Sequence, residues 1–212
     1  MMAAILSFIA LLAYFFGSLS TPILDSHLFF HTDLLKYSRD NLGLTRFEKR
    51  FGKKGYIYIF LTEAFKTAIP IILGGLLMLI FDHADVGRAL ALFCVVLGTN
   101  FPILYRFKGE HSLIAVSVGL WFVSGSVAIV WIVVFLACYF ISHYISLSCV
   151  ISALFMCLIT AMMIDEVLVQ RLMYLTALLI IIEYRKNIVG IIKGTESKFR
   201  YRKDAAAIFD DL

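Results

Sequence analysis

The sequence predicts an all-α fold, a polytopic membrane helix bundle of about seven transmembrane helices, and three observations predict it. Hydrophobic residues make up 61% of the 212 and charged residues 16%, against roughly 45–50% and about 25% in ordinary soluble domains. A soluble core of this size cannot hide that excess, so much of it faces lipid; the mean hydropathy of +0.91 agrees. Second, apolar runs recur at close to the roughly 20 residues a helix needs to cross the hydrocarbon of a bilayer. Third, 16 of the 19 Lys and Arg fall in three stretches between those runs: Leu24 to Lys54, Arg106 with Lys108, and Arg185 to Lys203. That clustering is the positive-inside pattern of cytoplasmic loops, so the formal net charge of +4 reports orientation in a membrane rather than nucleic acid binding.

The first run, MMAAILSFIALLAYFFGSLS, lacks the positive n-region of a signal peptide, and its flanking positive charge comes afterwards. It therefore reads as an uncleaved helix, Ala3 to Leu24, with the N-terminus outside. The long hydrophilic loop 25–55 follows, with Ile23 to Leu35 amphipathic enough to lie along the interface. The second span is Tyr56 to Phe81. Inside it Glu63 and Lys66 are three apart, which places both on one helix face. Intramembrane charges turn toward protein or a wet cavity, so the pair is either a structural ion pair or part of a site. Pro70 removes the hydrogen bond to the Lys66 carbonyl and invites a kink.

The third span is Val86 to Tyr105, followed by the basic loop 106–112. Leu113 to Ile141 is too long for one span and too short for two full ones. Ser124-Gly125-Ser126 divides it into two short helices. After a short loop at Ser142 to Tyr144 come Ile145 to Ile164 and Leu168 to Glu183, then the tail from Arg185. Seven spans with the N-terminus outside put all three basic clusters, and the C-terminus, inside.

Cys94, Cys138, Cys149 and Cys157 all lie in apolar stretches with no close pair, as small buried hydrophobes do. His27 and His31, four apart with Asp33 nearby, are the single candidate for metal ligands, and no further ligand stands at a suitable spacing. No metal site is expected. The H-x-x-x-x-D pair of the better-known glycerolipid acyltransferases, H-E-x-x-H, G-x-S-x-G and the phosphate-binding P-loop pattern are all absent.

The loop segments SRDNLGLTRFEKRFGKK, GTNFPILYRFKGEHS and EYRKNIVGIIKGTE mix cations with Gly, Asn and Thr, a composition suited to phosphate. In order and spacing they resemble the three cytoplasmic motifs of the acyl-phosphate:glycerol-3-phosphate acyltransferase (PlsY) family, and the likeness runs nearly end to end. The first motif, G-S-G-N-I-G-A-T-N followed by Arg and G-K-K, is matched at Asn41, Gly43, Thr45, Gly52, Lys53 and Lys54. Lys49 stands for the arginine, Arg39 for the motif serine, and Ser38 and Asp40 for the glycines flanking it. The D-x-x-K-G-x-x-P pattern of the next helix is EAFKTAIP, so Glu63, Lys66 and Pro70 match in kind. The second motif keeps Gly98, Phe101, Pro102, Phe107, Lys108 and Gly109, with Thr99 for its histidine and His111 for its second lysine. The third keeps Asn187, Ile188, Gly194, Thr195 and Glu196, with Glu183-Tyr184 for Arg-His.

The resemblance implies seven spans and transfer of an acyl group from acyl phosphate to the 1-hydroxyl of glycerol 3-phosphate, without a cofactor or divalent metal. It implies catalytic positions at Arg39, Lys49 and His111. Substrate-binding positions follow at Asn41, Gly43, Thr45, Lys66, Lys108, Gly109, Asn187, Thr195 and Glu196. The partners implied are acyl phosphate, glycerol 3-phosphate or a related phosphorylated substrate, and membrane lipid. A protein partner is compatible with the chain, and nucleic acid is not expected. The expected domain is one acyltransferase-like unit over residues 1–204 with a short tail at 205–212, in the bacterial cytoplasmic membrane. Arginine for serine exchanges a small donor and acceptor for a large cation, which leaves a second reading open, a noncatalytic relative that binds a lipid or a partner subunit. A small transporter, suggested by Glu63 and Lys66 alone, is a distant third.

Overall fold

The computed structural model describes residues 1–28, 44–105, 107, 109 and 111–195, with side chains for all of these except 26–28 and 44–56. Among them every long element is a helix: α1 (Met2–Gly17), α2 (Thr21–Leu28), α3 (Leu44–Leu79), α4 (Ala84–Asn100), α5 (Leu113–Val123), α6 (Gly125–Ser142), α7 (Ile145–Met163) and α8 (Val167–Ile192). A 3₁₀ turn, Ile103–Tyr105, follows α4. The chain forms two compact units, Met1–Val123 and Ser124–Leu212.

In the first unit α4 is the central helix, packed on α1 and α3, with α5 against α3 and α4 and α2 against α3. The sequence makes α4 central by keeping one surface small. A β-carbon on Gly17 would stand 2.3 Å from the Val95 carbonyl oxygen, and one on Gly98 would stand 2.4 Å from that of Tyr14. Only hydrogen fits at either place, so α1 and α4 cross backbone to backbone, the packing that small residues allow between helices in a membrane. In the second unit α7 packs on both α6 and α8. Its contact surface is also small, with Ser148, Cys149, Ser152 and Ala153 buried. The Ser148 and Ser152 hydroxyls donate to the carbonyls of Tyr144 and Ser148, four residues back, which satisfies them inside their own helix.

Among the described residues five helices are long and apolar enough to cross a membrane: Ile57–Leu79 within α3, Ala84–Tyr105, Gly125–Ser142, Ile145–Met163 and Val167–Ile192. The two remaining apolar helices, α1 and α5, are shorter. Four expectations change in detail. The first apolar run is not one helix from Ala3 to Leu24: α1 stops at Gly17, and α2 starts at Thr21 with Pro22 in its first turn, where a missing N–H costs nothing. The second span is the end of a much longer helix, since α3 is continuous from Leu44 and carries Pro70 inside it. The break at Ser124 is real, but the division is unequal, 11 residues in α5 and 18 in α6. Finally α8 continues to Ile192, past the expected end at Glu183. The short loop after α6 falls where expected, with His143 in the left-handed region at φ 60.

Candidate functional site

The charged pair of the second span sits on α3 and meets the short segment that joins α1 to α2. Glu63 and Lys66 are 4% and 5% exposed, and Lys66 Nζ lies 2.8 Å from Glu63 Oε2. Lys66 also donates to the Leu19 carbonyl oxygen at 3.0 Å. The Thr21 hydroxyl donates to the same Glu63 oxygen. One residue earlier on α3, Thr62 donates to Asp25 Oδ1 at 2.7 Å. Asp25 is 0% exposed, and its second oxygen is buried without a hydrogen-bond partner among the described residues, as are Glu63 Oε1, Ser18 Oγ and Thr67 Oγ1.

In this arrangement Lys66 pairs with Glu63, and a second carboxylate, Asp25, is near enough to feel both charges. Burial first, and the neighbouring Glu63 charge in addition, push the Asp25 carboxyl above its ordinary value, against the lowering effect of Thr62 and Lys66. Asp25 stands on α2, outside the spans. Sequence reasoning passed over it because the Leu24 to Lys54 segment reads as a loop. Its one signal is an acid between the apolar runs TPIL and SHLFF, three residues after Pro22.

At the other end of α4 the polypeptide turns into the second basic loop. Tyr14 Oη donates to the Phe101 carbonyl at 2.8 Å, and the Thr99 hydroxyl reaches the carbonyls of Val95 at 3.0 Å and Gly17 at 3.4 Å. Thr99, which occupies the family's histidine position, is 3% exposed and serves the fold. Gly109 lies so close to this end of α4 that a β-carbon on it would stand 2.1 Å from the Asn100 carbonyl oxygen and 2.5 Å from that of Thr99. Phe107, two residues earlier, turns the chain with φ 59. Beyond Gly109, His111 is exposed just before α5. The Asn100 side chain is 9% exposed, with both amide atoms buried and unpartnered among the described residues. No motif position flagged it, and a polar residue in the last turn of an apolar span was its only signal.

In the second unit, Tyr184 stands for the family's other histidine. It is 3% exposed and hydrogen bonds with Cys149 of α7, so it too belongs to the core. Asn187 is half-buried on α8, one turn further along. The helix ends at Gly194, whose φ of 69 suits glycine, and Thr195 returns its N–H to the Gly190 carbonyl at 2.9 Å and its hydroxyl at 3.2 Å.

Of the residues singled out in the sequence, Lys66 and Gly109 lie in the first unit, as does His111, and Asn187 and Thr195 lie in the second. Thr45 and Lys49 fall on α3 at positions whose side chains are not described, as does His27 on α2. Arg39, Asn41, Gly43, Lys108, Glu196, His31 and the tail 205–212 lie outside the described residues.

Comparison with known proteins gives a consistent set. The family profile of glycerol-3-phosphate acyltransferase matches residues 7–194. A glycerol-3-phosphate acyltransferase of Macrococcus caseolyticus is 30% identical over 93% of this chain and 99% of its own length. That of Staphylococcus haemolyticus is 30% identical over 90% and 96%. In fold, the chain is similar to the crystal structure of PlsY, an integral membrane glycerol 3-phosphate acyltransferase, in its glycerol 3-phosphate form. The TM-score is 0.76 at 23% identity, over 94% of this chain and 98% of that one.

Proposed function

The chain belongs to the glycerol-3-phosphate acyltransferase family, and from that premise we propose that it transfers an acyl group from acyl phosphate to glycerol 3-phosphate in phospholipid synthesis. The carrying observation is the match itself, which runs over residues 7–194 and takes in the first two loop motifs and the third as far as Gly194. The reaction gives lysophosphatidic acid and inorganic phosphate. The 1-hydroxyl oxygen bonds to the acyl carbon, the bond from that carbon to the phosphate oxygen breaks, and the hydroxyl proton passes to the departing phosphate.

Both substrates are phosphorylated, so the work falls to cations and backbone donors that position them and offset developing charge. Lys108 supplies a cation from the second loop and Lys49 one from the first part of α3, and Arg39 adds a fork that grips a phosphate in two places. The pinning of Gly109 gives the second loop a fixed frame. Lys66 is already engaged by Glu63 and Leu19, so it braces the α1–α2 junction rather than offering a free charge. The place of action is the bacterial cytoplasmic membrane, with the N-terminus outside and the three basic loops on the cytoplasmic side.

The test uses purified chain in lipid nanodiscs with palmitoyl phosphate and labelled glycerol 3-phosphate, beside a family member with intact motifs. Labelled lysophosphatidic acid is the expected product, formed more slowly than by the intact relative because Arg39 and His111 replace a hydroxyl and an ammonium. Absence of product, together with failure to restore growth to an acyltransferase-deficient strain, refutes the proposal.

A further inference from the structure

The short helix α5 stops before its neighbours do, at the end of the first unit where α3 turns into α4. Gly119 fixes its level: a β-carbon there would strike Leu92 of α4 and come within 3.0 Å of Ile71 of α3. Ile71 lies eight residues before the end of α3 and Leu92 eight after the start of α4, about 12 Å along each helix axis. Four residues of α5 remain after Gly119, about 6 Å. The end of α5 is therefore set about 6 Å, or one turn, into the membrane from the ends of the helices it packs on. One turn beyond Ile71 and Leu92, on the same helix faces, stand Gly75 and Arg88, level with that end. Arg88 lies flat across α3 because Gly75 has no side chain. A β-carbon on Gly75 would come within 2.8 Å of Arg88 Nε and 2.9 Å of Cγ.

The Arg88 side chain is 41% exposed and that of Asp85 66%. Among the described residues Arg88 makes one hydrogen bond, from Nη1 to Asp85 Oδ1 at 3.0 Å, which leaves its other donors open. A charge exposed to hydrocarbon at this depth is costly, so polar headgroups must reach down to it. Trp121, two residues before α5 ends, agrees: it is 53% exposed, and tryptophan favours the headgroup level. The chemistry around the recess selects the headgroup. A guanidinium takes a phosphate, the Asp85 carboxylate takes an ammonium, and the last carbonyls of a helix lack partners within it and accept N–H groups. We propose that the recess bounded by Gly75, Asp85, Arg88 and the end of α5 binds the ethanolamine headgroup of a phospholipid. Its phosphate rests on the open edge of the guanidinium, and its ammonium donates to Asp85 and to the end of α5. The acyl chains run along exposed α5 about one turn deeper than those of surrounding lipids, which matches the short helix. The site stands at the opposite end of α4 from the second basic loop and does not depend on acyl transfer.

The experiment offers the full chain in detergent an equal mixture of phosphatidylethanolamine, phosphatidylcholine and phosphatidylglycerol with identical acyl chains. Bound lipid is counted by native mass spectrometry for wild type, Arg88→Gln and Asp85→Asn. Phosphatidylcholine has no N–H to donate, and phosphatidylglycerol has no ammonium. Wild type is expected to retain phosphatidylethanolamine over each of the others by roughly fivefold. With either anchor gone the headgroup is no longer seated, so both variants should hold the three lipids alike. Each preference is a ratio within one protein, so loss of folded material does not mimic the effect, and one variant serves if the other does not fold. Equal retention by wild type, or a preference that persists in a folded variant, overturns the site. A final arm adds soluble phosphoethanolamine, which is expected to leave the bound lipid in place. Displacement at matched concentration would assign the recess to a free phosphorylated amine and overturn its assignment to lipid.

Discussion

Thr99 and Tyr184 stand where the family carries histidine, and each spends its side chain on packing, which is why the residues that replace them are inert in kind. The buried charges behave differently. Removing one partner of a buried pair strands the other, at about 3–5 kcal/mol, whereas removing both together is far milder. Glu63→Gln and Lys66→Met should each lower the unfolding midpoint of the chain in detergent, and the double substitution should recover most of the loss. Equal additive losses would show that the pair is not coupled. Asp25 adds a pH dependence whose sign follows from its raised pKa. Its contribution to stability is whole below the ordinary carboxyl value of 3.8 and is lost as pH rises through the higher value it takes in the fold. Wild type should therefore lose stability relative to Asp25→Asn as pH rises from the ordinary carboxyl value through the higher one. A parallel pair of melting curves across that range would contradict a raised pKa from the burial of Asp25.

At the scale of the elements, the sequence shows α4, α6 and α7 to within a few residues, because each is a long apolar run flanked by polar or turn residues. It hides the ends of α1 and α3. No charge interrupts the run from Ala3 to Leu24, so hydropathy cannot mark the stop at Gly17. The basic residues Arg46 to Lys54 are good helix formers that hydropathy reads as loop. The sequence displays the loop motifs but not Asp25 and Asn100, since what distinguishes these two is side-chain atoms buried without a partner among the described residues. The loop against the end of α4 gives a direct test. Gly109→Ala puts a methyl group 2.1 Å from the Asn100 carbonyl oxygen, so the loop must lift. A displacement on the order of 1 Å in a positioning element costs up to about 10²-fold in rate. Turnover of Gly109→Ala should fall by about that factor with little change in melting temperature, since Gly109 is exposed. Unaltered turnover would mean that the loop's contact with α4 has no bearing on the site.

For the whole molecule, the proposed topology makes one side of the membrane basic and leaves Asp82 and Asp165 on the other. Single cysteines at these two positions should react with an impermeant maleimide added to intact cells, and cysteines at Ser38, His111 and Ser197 should react only after permeabilisation. Ser112, though it neighbours His111, is 1% exposed and would report burial rather than sidedness. Labelling of the second group in intact cells would reverse the orientation. The contact of α3 with the α1–α2 junction also has a consequence for how the protein is made. Synthesis delivers Thr21 and Asp25 to the membrane well before Glu63 and Lys66, and a charge at the middle of a lone helix enters lipid at about 2.5–3.5 kcal/mol. Glu63 and Lys66 are not fully partnered until they meet the segment that joins α1 to α2, so α1 is expected to linger beside the insertion machinery until α3 emerges and the two apolar helices to pass into the bilayer together, with α2 at its surface.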